Sequence, residues 1–144
     1  MILYSHRGNT NGKTISLENK PQQILQTMQL GYHVEIDVWY DGWTLYLGHN
    51  EPQYQTDLFF LQNEKLWCHA KNLQALQYML ENNIQCFWHQ EDNYTLTNSG
   101  YIWTYPQKPV CEKTIIVCDT LEDTIKYSKM NIAGICSDYI GEIK

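Results

Sequence analysis

Between Tyr32 and Tyr40 the chain alternates without a break, with Val34, Ile36 and Val38 on one face and Glu35 and Asp37 on the other. A period of two is the signature of a β-strand with two unlike faces. One face needs an apolar layer, and the other must find water, protons or a cation for two carboxylates one residue apart. Asp41-Gly42 and then Thr44-Leu45-Tyr46-Leu47 follow, which reads as a hairpin. With the turn centred on Asp41 and Gly42, residues near 35–37 lie across from residues near 46–48. His49 is then expected to emerge close to the carboxylates.

Met1 to Ser5 reads as a short apolar strand running into His6-Arg7-Gly8 and a polar loop through Asn19. Asn19 as cap, Pro21 in the first turn, Ile24, Leu25 and Met28 on one face and Gly31 past the end mark a helix. Leu66 to Ala70 is strand-like, and Asn72 caps a helix whose stripe is Leu73, Leu76, Met79 and Leu80. Ile84 to Trp88 is a further strand, Tyr94 to Tyr105 a hairpin turning at Asn98-Ser99-Gly100, and Thr114 to Cys118 an apolar strand. Thr120 and Asp123 open a third helix, which leads to a last strand over Ala133 to Cys136. Alternating strands and helices predict an α/β architecture with a parallel sheet in one domain spanning 1–144. Seven or eight strands with three helices suggest a stripped-down barrel, since the full eightfold form has eight helices and about 250 residues.

At 144 residues, with 43% hydrophobic and 13% aromatic residues, the chain can bury a core without disulfides. A formal net charge of −6, with ten scattered Lys and Arg, argues against nucleic acid or an anionic membrane as partner. Any anion must be held locally. The five cysteines (Cys68, Cys86, Cys111, Cys118 and Cys136) lack zinc-type spacing and fall mostly in apolar runs. Buried free thiols in a reducing, cytoplasmic setting are expected. The N-terminal segment lacks the pattern of a secretory signal, and no apolar run is long enough to span a bilayer.

Three groups carry the candidate chemistry: His6-Arg7, Glu35-x-Asp37 and His49, all at strand ends or on one strand face. A divalent ion is the natural neutraliser of the acidic pair, and oxygen ligands suit Mg²⁺ or Ca²⁺. Histidines near neutral pKa can exchange protons with a nucleophile and a leaving group, while Arg7 and Lys71 would add positive charge toward a phosphate. The alternative for Glu35 and Asp37 is the solvated face of a hairpin. Trp88 and Trp103 are candidates to line a pocket against a polyol or sugar, with core packing as the other use. His89 with Glu91 and Asp92 reads either as a metal cluster or as a polar loop.

These residues resemble a known family. His6-Arg7-Gly8-Asn9-Thr10, Val34-Glu35-Ile36-Asp37-Val38, Asp41-Gly42 and Gly48-His49-Asn50 are similar to the first third of the glycerophosphodiester phosphodiesterases. His69-Ala70-Lys71 takes the place of that family's Glu-x-Lys strand, and Gly134 to Tyr139 is similar to its closing Gly-Ile-x-Thr-Asp-Tyr segment. The resemblance implies a reduced TIM-type barrel that hydrolyses phosphodiesters, with Glu35 and Asp37 as metal ligands and His6 and His49 as general acid and base. There are departures: His69 replaces a third metal carboxylate, and a His-Asp pair reads His49-Asn50. The stretch from His49 to His69 also lacks the usual insertion. A His69 ligand shifts preference toward Mn²⁺ or Zn²⁺, and otherwise His69 is a core histidine. The expected partner is a small phosphodiester with a glycerol or sugar-alcohol group. A binding module without turnover is the alternative, and a metal-independent cleavage using both histidines and Arg7 is a third. Sparse outer helices also suggest a homo-oligomer.

Overall fold

The computed structural model describes residues 1–143. Strands β1 (Ile2–His6), β2 (His33–Tyr40), β5 (Leu66–Ala70), β6 (Cys86–Trp88), β8 (Ile102–Thr104), β9 (Thr114–Cys118) and β10 (Gly134–Ser137) form one parallel run in the order β6-β5-β2-β1-β10-β9-β8. Three antiparallel strands attach to it: β3 (Leu45–Leu47), β4 (Tyr54–Thr56) and β7 (Tyr94–Leu96). The α/β expectation holds. Among the described residues the strand count is ten, and a short fourth helix, α2 (Leu58–Leu61), joins the three expected ones. Asp57 starts that helix by accepting from Phe60 N–H, a capping signal hidden in what reads as a polar stretch.

Every residue from Val34 to Val38 is buried. Val34, Ile36 and Val38 face outward into a core with Ile24 and Met28 of α1 (Pro21–Gln29) and Ala75 and Met79 of α3 (Leu73–Glu81). A second outer cluster packs Ile116 and Ile135 with Tyr127 of α4 (Leu121–Tyr127). The inner face carries large aromatics instead: Tyr4, Trp67, Phe87 and Trp103 pack with Ile115, Val117 and Cys136. Gly134 makes room there, because a Cβ at that position would lie 2.6 Å from the Tyr4 ring. Burying Leu- or Phe-sized side chains contributes roughly 1.5–3 kcal/mol each, so the two faces of one sheet supply two cores.

The sheet curls until its ends meet. Asn98 N–H donates to Cys86 O (3.1 Å), Asn98 Oδ1 accepts from Cys86 N–H (2.9 Å), and Phe87 stacks on Trp103 at 4.6 Å. No strand ladder joins β6 to β7 or β8 among the described residues, so the sheet is an open one, not the hydrogen-bonded barrel expected.

Two local expectations are corrected. The β2–β3 hairpin turns over Asp41–Thr44, with Asp41 N–H bonded to Thr44 O and Val38 opposite Leu47. The turn is two residues longer than a tight Asp41-Gly42 pair, because Asp41 Oδ1 accepts from both Trp43 and Thr44 N–H. Asn19 does not cap α1. The flanking residue is Lys20, and Asn19, at φ 60°, turns its amide to β2 instead. Among the described residues no helix is long and apolar enough to cross a membrane.

Candidate metal and phosphate site

Parallel strands place the side chains at their C-terminal ends around a common opening. Here that opening is a cavity of about 410 Å³, and His6, Arg7, Glu35, His49, His69, Lys71, Trp88 and Trp103 all line it. Residues separated by up to 97 positions in the sequence are thus brought into one chamber. Asp37 lies just beneath, 0% exposed, so the solvated-hairpin alternative for the acidic pair is excluded. The hairpin brings His49 there through a different register from the one expected: Gly48 N–H donates to Asp37 O at 3.1 Å.

Asp37 is the hub. Its Oδ2 accepts from Asn19 Nδ2 at 2.9 Å and lies 3.3 Å from His49 Nδ1 and 3.0 Å from Arg7 Nε. Its Oδ1 lies 3.2 Å from His69 Nδ1 and 3.7 Å from Lys71 Nζ. Burial disfavours the charge, but the hydrogen bond from His49 and the Arg7 guanidinium outweigh it and hold the carboxyl well below the usual range. Glu35 goes the other way: burial first, then Asp37 beside it, raise its pKa. Two carboxylates on one strand face are thereby driven apart in proton affinity.

The imidazoles are oriented by acceptors. A carboxylate only accepts, so His6 Nδ1, 3.1 Å from Asp138 Oδ1, carries the proton, and Nε2 faces Glu35 Oε2 at 4.0 Å. Burial lowers the His6 pKa, but Asp138 and Glu35 reverse this and leave it raised. His49 by the same rule donates from Nδ1 to Asp37 and turns Nε2 toward Arg7 at 3.5 Å. His69 differs. Its Nε2 is 3.1 Å from the carbonyl of His89, which fixes the proton there and leaves the Nδ1 lone pair aimed at Asp37 Oδ1 and, at 3.9 Å, Glu35 Oε1.

Three acceptors facing one another need a cation between them, a proton or a metal ion. One ligand atom each from Glu35, Asp37 and His69 lies within 4.8 Å of the others. Glu35 Oε2 and Asp37 Oδ1 are buried oxygens without a hydrogen-bond partner among the described residues. The donor set fits a divalent ion by this test.

Several contributors were not legible as site residues. Asp138 orients His6, Glu18 pairs with Arg7 NH1 at 3.2 Å, and Asn9 bridges Glu18 and Asp138. Arg7 itself sits at φ 56°, its N–H held by Glu35 O and its O by Asn19 N–H. Tyr105 completes the aromatic wall, stacked on His89 at 4.3 Å. His89 bonds Thr95 through Nδ1, and Glu91 and Asp92 are exposed, so the proposed His89 cluster does not form.

No family model matches the chain, and no curated protein matches it significantly.

Proposed function

We propose that the protein is a metal-dependent phosphodiester hydrolase of the glycerophosphodiester phosphodiesterase type, acting on a glycerol or sugar-alcohol phosphodiester. The observation that carries this reading is the convergence of Glu35, Asp37 and His69 with two oriented imidazoles and two cations in one cavity. The open, curled sheet carries its site at the C-terminal ends of its parallel strands, where α/β enzymes keep theirs, and the four buried thiols are compatible with a reducing cytoplasm.

Glu35, Asp37 and His69 would hold the ion, which when bound polarises a phosphoryl oxygen and offsets the charge that develops on it. Arg7 and Lys71 line the same cavity and orient the phosphate, Arg7 with a guanidinium braced by Glu18. His6 and His49 lie on either side of the acidic pair, His6 against Glu35 and His49 against Asp37. Each fixed Nδ1–H leaves Nε2 to take or give a proton. Phe87, Trp103 and Tyr105 exclude water from one wall of the chamber.

A chromogenic phosphodiester assay with and without EDTA, run beside Glu35→Ala, His6→Ala and His49→Ala, tests this. Turnover lost to the chelator and to each substitution is the expected result. A second reading, a phosphate-ester binding module, draws on the contacts of Arg7 and Lys71 with Asp37, which neutralise that carboxylate without a metal. Tight binding of a phosphate ester with no turnover in any metal would select it. Turnover indifferent to chelator yet lost in His49→Ala would select metal-independent cleavage.

A further inference from the structure

Which nitrogen of His69 faces the carboxylates is decided by the carbonyl of His89, 3.1 Å from Nε2. A carbonyl only accepts, so the proton stays on Nε2 and Nδ1 keeps its lone pair. That carbonyl, however, belongs to a segment without a ladder of its own. Strand β6 ends at Trp88, β7 begins at Tyr94, and residues 89–93 between them lie in no strand. A peptide unit in such a segment can turn at small cost, so the acceptor stays in place only if His89 itself is held.

Two contacts hold it, both from the β7–β8 hairpin. His89 Nδ1 lies 2.9 Å from Thr95 Oγ1, and the His89 ring stacks on Tyr105 at 4.3 Å and 25°. Tyr105 N–H also donates to Asn93 O at 3.1 Å, which ties the far end of the same segment to the end of β8. Thr95 points inward because strand neighbours alternate: Tyr94 and Leu96 are exposed, and the residue across the hairpin from Thr95 is the buried Trp103.

The hairpin reaches His69 by a second route. Phe87, the strand partner of His69, stacks on its ring at 4.9 Å and 10°, and stacks in turn on Trp103 at 4.6 Å. The aromatic stack sets the plane of the imidazole, and the His89 carbonyl sets its rotation within that plane. With both fixed, Nδ1 can point only at Asp37 Oδ1 and Glu35 Oε1.

We infer that Thr95 is a positioning residue of the metal site. Through His89 it fixes the proton of His69 on Nε2, and so delivers the Nδ1 lone pair to the ion between Glu35 and Asp37. This rests on the metal-dependent reading for the presence of the ion. It assigns to the β7–β8 hairpin, which carries none of the three ligands, control over how tightly the ion is held.

The test is a calorimetric titration of the metal-free protein with Mn²⁺, repeated on Thr95→Val and on Thr95→Ser. Thr95→Val keeps the shape and loses the hydroxyl, and its Mn²⁺ affinity should fall about ten- to hundredfold, the range typical of groups that orient a ligand. Thr95→Ser keeps the hydroxyl and should bind within about twofold of the unaltered protein. Long-range proton–nitrogen NMR of the metal-free proteins at mildly alkaline pH reads the tautomer directly. His69 should be protonated on Nε2 in the unaltered protein and on a mixture of both nitrogens in Thr95→Val. Unchanged Mn²⁺ affinity in Thr95→Val overturns the inference, as do an equal loss in Thr95→Ser and an unaltered protein whose His69 carries its proton on Nδ1. Failure of an unaltered protein to take up Mn²⁺ overturns both this inference and the metal-dependent reading. Where Mn²⁺ binds, the two separate. Weakened binding in Thr95→Val without hydrolysis of any phosphodiester removes the catalytic proposal alone, and chelator-sensitive hydrolysis with affinity unmoved in Thr95→Val removes the role of Thr95 alone.

Discussion

His6 Nδ1 and Asp138 Oδ1 lie 3.1 Å apart although the residues are 132 positions apart in sequence. The first and last strands in chain order, β1 and β10, are hydrogen-bonded neighbours in the middle of the parallel run, with Ser5 opposite Ser137, and so each ends beside the other. The contact holds the proton on Nδ1 and aims Nε2 at the carboxylate pair. Asp138→Asn keeps the shape but can present an amide N–H to the ring, which favours the wrong tautomer. On the proposed reaction its turnover number should fall about 10²-fold or more, within the range general acid–base catalysis contributes, with little change in KM. A raised His6 pKa depends on Asp138, so the His6 titration followed by NMR should move down in the variant. An unmoved titration and an unchanged rate would remove Asp138 from any role beyond packing.

Asn19 and Asp37 clamp each other in both directions. Asn19 Nδ2 donates to Asp37 Oδ2, and Asp37 N–H donates to Asn19 Oδ1, both at 2.9 Å. Asn19 is fully buried and has φ 60°, a conformation asparagine tolerates better than most residues. Asn19→Gly keeps the backbone and loses the clamp, leaving a buried carboxylate short of a donor at a cost of roughly 1.5–3 kcal/mol. Asn19→Ala adds about 1 kcal/mol or more of left-handed backbone strain. Urea unfolding should rank the proteins in that order. Equal stability of the two variants would mean that strain at position 19 is negligible.

The acidic couple, both imidazoles, Arg7, His69 and Lys71 are legible in the sequence because each belongs to a short strand or its end, where a period of two fixes the face. The hairpin register is not legible to better than two residues, since Asp41 builds an Asx-type turn with its side chain. Asn19 reads as a helix cap because Asn before Pro21 is a common capping pattern, and nothing local announces that its amide is taken by Asp37. Glu18, Asn9 and Asp138 form contacts that depend on β1 meeting β10 and on a loop folding back, and no spacing rule reports either. The short helix Leu58–Leu61 is one turn long, below the length at which apolar periodicity can be seen.

Four cysteines are buried and Cys111 is exposed. Burial pushes the Cys86 thiol up to about 11 and Cys118 up to about 12, and raises Cys68 and Cys136 well above the usual range. In the unfolded chain thiols ionise near ~8.5. The folded state therefore binds these protons more tightly: the stability they contribute is complete below that pH and is lost as pH rises toward 11–12. Urea midpoints measured from pH 7 to 10.5 should fall above about pH 9, and less steeply in Cys86→Ala/Cys118→Ala. At pH 8 one thiol should react promptly with a disulfide reagent and the rest only on unfolding. Five fast thiols would contradict the packing of both faces of the sheet.

Glu35 is 2% exposed, with Oε2 buried and unpartnered beside Asp37. Without a cation it adds like charge to a dry site, and with one it supplies a ligand, so Glu35→Gln should act in opposite directions in the two states. In excess EDTA the variant should melt at or above the temperature of the unaltered protein, because a neutral amide removes both the burial penalty and the repulsion from Asp37 that raise the Glu35 pKa. With Mn²⁺ at about a hundred times its dissociation constant, the unaltered protein should gain about 2.7 kcal/mol. For a chain of this size that is a rise of roughly 5–10 °C in Tm. Glu35→Gln should gain little, since one of the three ligands has lost its charge. Differential scanning fluorimetry across a Mn²⁺ titration reads both effects, and an equal rise in the variant would place the ion away from Glu35, Asp37 and His69.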